Sequence, residues 1–305
     1  MSANDGAPVG MPAPVAGEHT AVATGHRAAQ GTLAASVRLL GSEMRLILGR
    51  RRNRAGVLVL AAVPILIAVA IAVSGPGDAG DGGPGLISAV TSNGIFVALT
   101  AMSVEMALFL PLAVAVLSGD TVAGEANLGT LRYLLTVPVD RTRLLLVKYV
   151  SLVIGALIGV VVVAGTGLIV GGALLGLGPT TLLSGNQISL ADALGRLAIA
   201  VLYLTAGLSG LAAVGLFLST LTEQPIAAMI ATTVVATAMW ILDAIPQLDW
   251  MGPWLLVHRW PAFADAFREP IFWDTMRTGL LVDLGYVLVF LGLAWARFAQ
   301  KDITS

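Results

Sequence analysis

Six apolar stretches, at approximately 55–73, 95–117, 149–177, 194–219, 226–245 and 279–297, fix what this chain can fold into. An α-helix rising about 1.5 Å per residue needs roughly 20 apolar residues to cross the hydrocarbon core of a bilayer. Backbone inside lipid must satisfy its own N–H and C=O groups, so such runs are read as helices. A content of 57% hydrophobic and 11% charged residues also lies far from that of a soluble domain. The expectation is an all-α polytopic membrane protein with six transmembrane helices. The third stretch is long and rich in glycine, so a tilt or a break near Gly171 and Gly172 is expected.

Orientation follows from where Lys and Arg fall. With the N-terminus in the cytoplasm, 13 of the 17 cations lie on the inner side, and only Arg196, Arg259, Arg268 and Arg277 lie outside. Both termini are therefore expected in the cytoplasm, with the chain in the cell membrane. A formal net charge of -1 gives no reason to expect nucleic acid as a partner. The chain has no cysteine, which removes disulfides, thiolate metal sites and thiol catalysis, and its 3 histidines are too few and too scattered for a metal cluster.

Residues 1–32, rich in Pro, Ala and Gly, read as a disordered cytoplasmic tail without the pattern of a signal peptide. Over 33–53, Leu33, Val37, Leu40, Met44 and Ile47 recur at steps of three or four, while Arg38, Arg45 and the run from Arg50 occupy the remainder. This predicts an amphipathic interfacial helix whose cations face anionic lipid, or, more plainly, a basic flank. The rest, 54–305, is the six-span domain. Its outer segment 246–278 holds Trp250, Trp254, Trp260 and Trp273, four of the 6 tryptophans, together with Pro253, Pro261 and Pro270. Short interfacial or re-entrant helices forming a cap, or an irregular loop anchored by aromatic rings, both suit that composition.

Between spans two and three lies a polar island, 118–148, holding Asp120, Glu125, Arg132, Asp140, Arg141, Arg143 and Lys148. Gly129 interrupts its helical character, and Pro138 forces an extended turn because it lacks an amide proton and restrains its predecessor. Asp140 is placed to cap a helix that begins at Arg141 and continues into the third span. The expected form is a short cytoplasmic helix, a kink and a stiff lever into the bilayer. Leu131, Leu134 and Leu135 would form its apolar knob, with Glu125 and Arg132 as charge partners.

Two motifs are set aside. Leu183-Ser184-Gly185-Asn186-Gln187 is similar to the signature peptide of ABC ATPases, but the chain has no GxxxxGK[ST] phosphate cradle and hydrolyses no ATP on this reading. Gly207-Leu208-Ser209-Gly210 resembles the nucleophile segment of rhomboid intramembrane proteases. A serine in lipid needs a general base within reach. Span six, which carries that histidine in rhomboids, has none here, and His258 lies in the outer segment. Close helix packing through small residues is the simpler account, and Gly155/Gly159 and Gly167/Gly171 repeat the same four-residue spacing. Ser209 as a protease nucleophile remains a remote alternative.

The island resembles the ABC-2-type permease family, the membrane subunits of ABC exporters. The matching residues are Glu125, Gly129, Thr130, Leu131, Leu134, Leu135, Pro138, Val139, Arg141, Leu145 and Lys148, and the ending Arg297-Phe298-Ala299-Gln300-Lys301-Asp302-Ile303 is similar too. The resemblance covers about 33–305. It implies a cytoplasmic coupling helix between spans two and three, with Glu125, Gly129, Thr130, Leu131, Arg132, Pro138 and Arg141 contacting a separate ATPase. It further implies two ATPase subunits, a second permease subunit (identical or not), and export of a drug, lipid, glycan or peptide. ATP and Mg would be used by the partner; no cofactor, metal or catalytic residue is assigned to this chain.

Glu105, near the middle of span two, is the one carboxylate placed deep in the bilayer, at a cost of about 2.5–3.5 kcal/mol if ionised. It would serve a substrate path or subunit contact, or bond locally to a Ser, Thr or carbonyl group. It also carries the competing function, a proton-coupled secondary transporter, which would be expected to show a repeat in its spans. Asp243 and Asp283 lie near the outer ends of their spans, and Glu223 is a candidate second contact for the ATPase.

Overall fold

The computed structural model describes residues 36–74, 93–127, 141–182 and 184–300. Helix α1 covers 36–49, and α2 runs Arg51–Ser74. A short apolar helix α3, Gly94–Glu105, precedes α4, which spans Phe109–Asn127. The remaining helices are α5 (Arg141–Leu175), α6 (Leu190–Leu221), α7 (Pro225–Asp243) and α8 (Trp273–Gln300). Among the described residues, six helices (all but α1 and α3) are long and apolar enough to cross a membrane. The fold is that of an all-α polytopic membrane protein, with one exception: a two-stranded antiparallel hairpin, Thr180–Thr181 with Gln187–Ile188, in the α5–α6 connection.

Helix α6 is the centre of the bundle. Of its most apolar window 72% is buried, against 17% for α2 and for α8, whose outward faces are left for lipid or a partner. Around α6 stand α8, α5, α4 and α7, while α2 and α3 lean on α5. Local chemistry sets several ends. The Ser189 hydroxyl accepts from the Asp192 amide at 3.2 Å, a side-chain cap for the first turn of α6. Pro225 opens α7 at the position where its missing N–H costs nothing. Gly176, at φ +86, closes α5 and donates to the Gly172 carbonyl.

Four expectations are revised. The second apolar run is not one helix, because α3 ends at Glu105 and α4 starts at Phe109. Pro111 is the cause: it has no N–H to offer the Ala107 carbonyl, and its ring would press on that group, whereas in the first turn of a new helix it is tolerated. α5 does not break at Gly171 and Gly172 but runs unbroken for 35 residues. Those glycines instead admit α3. A Cβ at Gly171 would stand 2.8 Å from the Gly94 carbonyl oxygen, and one at Gly167 would stand 2.7 Å from the Ala98 Cα. Third, the basic helix ends at residue 49, and Arg51, Arg52 and Asn53 already belong to α2. Fourth, Asp283 lies well inside α8 at 5% exposure, not at a solvated span end.

Segment 246–278 is built largely of short helices. Of its two 3-10 helices, Pro246–Trp254 packs on α7, and Leu256–Phe267 lies along α6 and α8. Trp260, Phe263 and Phe267 are buried there, while Trp250, Trp254 and Trp273 stay exposed as interfacial rings would. Gly207 and Gly210, midway along α6, make room for the second of these, since a Cβ on either would meet Trp260 or Leu256 at 2.6 Å. The Ser209 hydroxyl donates to the Ala206 carbonyl of its own helix, and His258 Nδ1 lies 2.6 Å from Asp243 Oδ1.

Candidate functional site

The charges cluster where α1, α4 and α5 meet. Lys148, fully buried, donates from Nζ to Glu125 Oε1 at 2.6 Å and to Glu43 Oε1 at 3.1 Å. Beside it, Arg50 and Arg52 both pair with Asp120. Together these are three carboxylates and three cations, a neutral set. An ion without a partner at this depth would carry a large desolvation penalty, so mutual pairing is what makes the cluster tolerable.

Each residue arrives by a separate route. Glu43 comes from α1, on the face shared by Leu40 and Ile47. Asn53 Nδ2 donates to the Ile47 carbonyl at 2.7 Å, tying the end of α1 to the start of α2. Lys148 lies two turns into α5. Asp120 opens a π-helical turn, Asp120–Gly124, and Glu125 follows it. A π turn displaces backbone groups from the regular ladder and is frequent at functional positions. Here Ser219 of α6 takes up the displaced groups: its hydroxyl accepts from the Val122 and Ala123 amides at 3.2 and 3.0 Å and donates to the Gly119 carbonyl at 3.1 Å. The cluster is thereby pinned to the central helix. The widened turn also rotates Glu125 into the protein, where it is 9% exposed.

Of the coupling residues expected from sequence, Glu125 and Arg141 are described. Arg141 starts α5, as expected, and is half-buried. Glu125 is 9% exposed and accepts from Lys148, twenty-three residues on. Gly129, Thr130, Leu131, Arg132 and Pro138 lie outside the described residues, as do the tail 1–32, Leu33 and the capping Asp140. Arg143 of α5 donates from Nε to the Ser36 hydroxyl of α1 at 2.7 Å, and Trp295 of α8 donates to Thr142 Oγ1 at 3.0 Å. The segment 128–140 is thus flanked on both sides by helices locked to α1, α6 and α8.

Sequence reasoning missed Glu43. Its signal was present: it is the single carboxylate between Arg38 and Arg54, and it falls on the apolar face, where an acid needs a buried partner. Two of the arginines expected to face lipid, Arg50 and Arg52, are instead committed to Asp120.

Glu105 stands apart from the cluster. It is 0% exposed, ends α3 at the helix break, and neither carboxyl oxygen has a hydrogen-bond partner among the described residues. Gly94 lies level with Gly171 near the C-terminal end of α5. Descending from there by about 1.5 Å per residue puts Glu105 roughly half-way through a 30 Å core. Among the described residues no group of three or more His, Cys, Asp or Glu side chains is arranged to hold a metal.

No curated protein matches the chain. A family model covers residues 85–304, from before α3 through α8 and including the island. That is well over half of the chain, which therefore belongs to DUF2705, a family of proteins of unknown function.

Proposed function

We propose that this chain is the membrane subunit of an ATP-binding cassette exporter, driven by a separate ATPase that grips residues 128–140. The observation that carries the reading is the buried Glu43–Lys148–Glu125 bridge. It fuses the helices on both sides of that segment with α1, so a push on the segment moves α1, α4 and α5 together and cannot be lost in a slack loop. The resemblance of the island to ABC-2-type permeases names the kind of engine, and the absence of a phosphate loop in the chain requires that the engine be another subunit. ATP and Mg are consumed there. Both termini face the cytoplasm of the cell membrane. A second permease subunit, identical or related, completes the path at a two-fold interface, for which the exposed apolar faces of α2, α7 and α8 are available. The cargo is hydrophobic or amphipathic: a drug, lipid, glycan or peptide.

A second reading rests on Glu105 as a proton carrier, favoured by oxygens that have no partner among the described residues, at a discontinuous helix. One experiment separates the two. Tagged protein is purified from membranes in mild detergent, and co-purifying chains are assayed for Mg-dependent ATP hydrolysis. The permease reading expects an ATPase bearing a phosphate loop, and expects Gly129→Pro to leave the complex intact while lowering its turnover severalfold. Recovery without any ATPase, with transport that needs only a proton gradient, would replace it by the Glu105 reading.

A further inference from the structure

A cleft of about 380 Å³ runs between α2, α4 and α5, starting at the α1–α2 junction. One end is lined by Arg52, Asn53 and Arg54 and the other by Leu60 and Phe109. From Arg54 to Leu60 is six residues of helix, about 9 Å along the axis. From Leu117 back to Phe109 on the antiparallel α4 is about 12 Å. The cleft is therefore an apolar slot, reaching through roughly two-thirds of one leaflet's hydrocarbon, with a cationic rim at the charged end of the bundle. Its floor is glycine: Gly155 and Gly159 of α5 leave the depth that side chains there would fill.

The rim has unspent bonding capacity. Arg50 and Arg52 are held by Asp120, but Arg54 is exposed, and among the described residues its side chain makes only a long 3.4 Å bond to the Gly49 carbonyl. Asn53 donates to Ile47 while its own carbonyl oxygen, buried in the cleft wall, has no partner among the described residues. A cation, a buried acceptor and then an apolar slot, in that order along a bundle, match an anionic phosphate, a headgroup hydroxyl and an acyl chain.

We infer that this cleft binds one anionic phospholipid, its phosphate on Arg54, a headgroup or glycerol donor on Asn53 Oδ1, and one acyl chain against Leu60, Phe109 and Ala113. The site is separate from the ATPase reading and does not rest on it. A bound lipid here would wedge the α1–α2 junction next to the charge cluster, so the anionic lipid content of the membrane would bear on how firmly α1 is held.

The test is retention of lipid by the purified full chain, measured by native mass spectrometry with phosphatidylglycerol and phosphatidylcholine of identical chains. Wild-type protein is expected to retain phosphatidylglycerol preferentially. Arg54→Gln should cut that preference about fivefold, the worth of one basic side chain at a membrane surface. Ala113→Phe, which fills the slot, should cut retention of both lipids. Equal retention of the two lipids by wild type, or an Arg54→Gln protein with undiminished preference, overturns the proposal. Arg54 is exposed, so that variant is expected to fold; unchanged lipid loading in a folded Ala113→Phe protein overturns the assignment of the chain to the slot.

Discussion

Lys148→Met is expected to destabilise the protein by about 3–5 kcal/mol, the cost of removing one partner from a buried ion pair. The substitution leaves Glu43 and Glu125 facing each other with no cation between them, at 8% and 9% exposure. Methionine fills much the same volume, so the loss is one of charge and not of packing. The measurement is thermal unfolding in detergent micelles, comparing the single variant with Glu43→Gln/Lys148→Met/Glu125→Gln. The triple change removes all three charges and should recover most of the loss, because a neutral buried set is often as stable as an ionic one. A single variant that melts with wild type would mean that the bridge holds nothing together.

The second large effect is expected at the α3–α5 contact. Gly94→Val should cost at least the 1–3 kcal/mol typical of overpacking, because the atoms it meets are main chain and cannot rotate away. A Cβ at Gly94 would overlap the Gly172 amide nitrogen, and one at Gly171 would lie 2.8 Å from Val97 Cβ as well as from the Gly94 carbonyl. Gly155→Ala is the control: its Cβ would meet only the end of the Leu117 side chain, at 2.8 Å, which can turn aside. Unfolding temperatures in micelles should therefore fall strongly for Gly94→Val and little for Gly155→Ala. Equal behaviour of the two would contradict the close α3–α5 approach.

Much of this fold was legible because lipid imposes a simple rule. Long apolar runs declare themselves, and the start of α5 at Arg141 followed from the polar island ending in a helical pattern. The small-residue spacing Gly167/Gly171 pointed to a packing seam, and α3 fills it. What could not be read from hydrophobicity was the break at 106–108. Every residue around it except Glu105 is apolar or small, and only Pro111, six residues after the end of α3, carries the physical cause. The partner of Glu125 was missed for a different reason. The bridge to Lys148 and Glu43 joins residues far apart in the chain, and the π turn that aims Glu125 inward is invisible to a 3.6-residue period. The cation count gave no sign that two arginines of the basic run would be taken up by Asp120.

The island's place as the contact for an ATPase is most directly tested at Thr130, because a chain with no cysteine allows a single labelled site without background. Thr130→Cys carrying a photo-crosslinker is activated in native membranes, and the adduct is identified by mass. The account predicts that the site is shielded from membrane-impermeant thiol reagents applied outside the cell, and that it captures an ATP-hydrolysing subunit. Labelling from outside, or adducts confined to lipid and to copies of this chain, would contradict it.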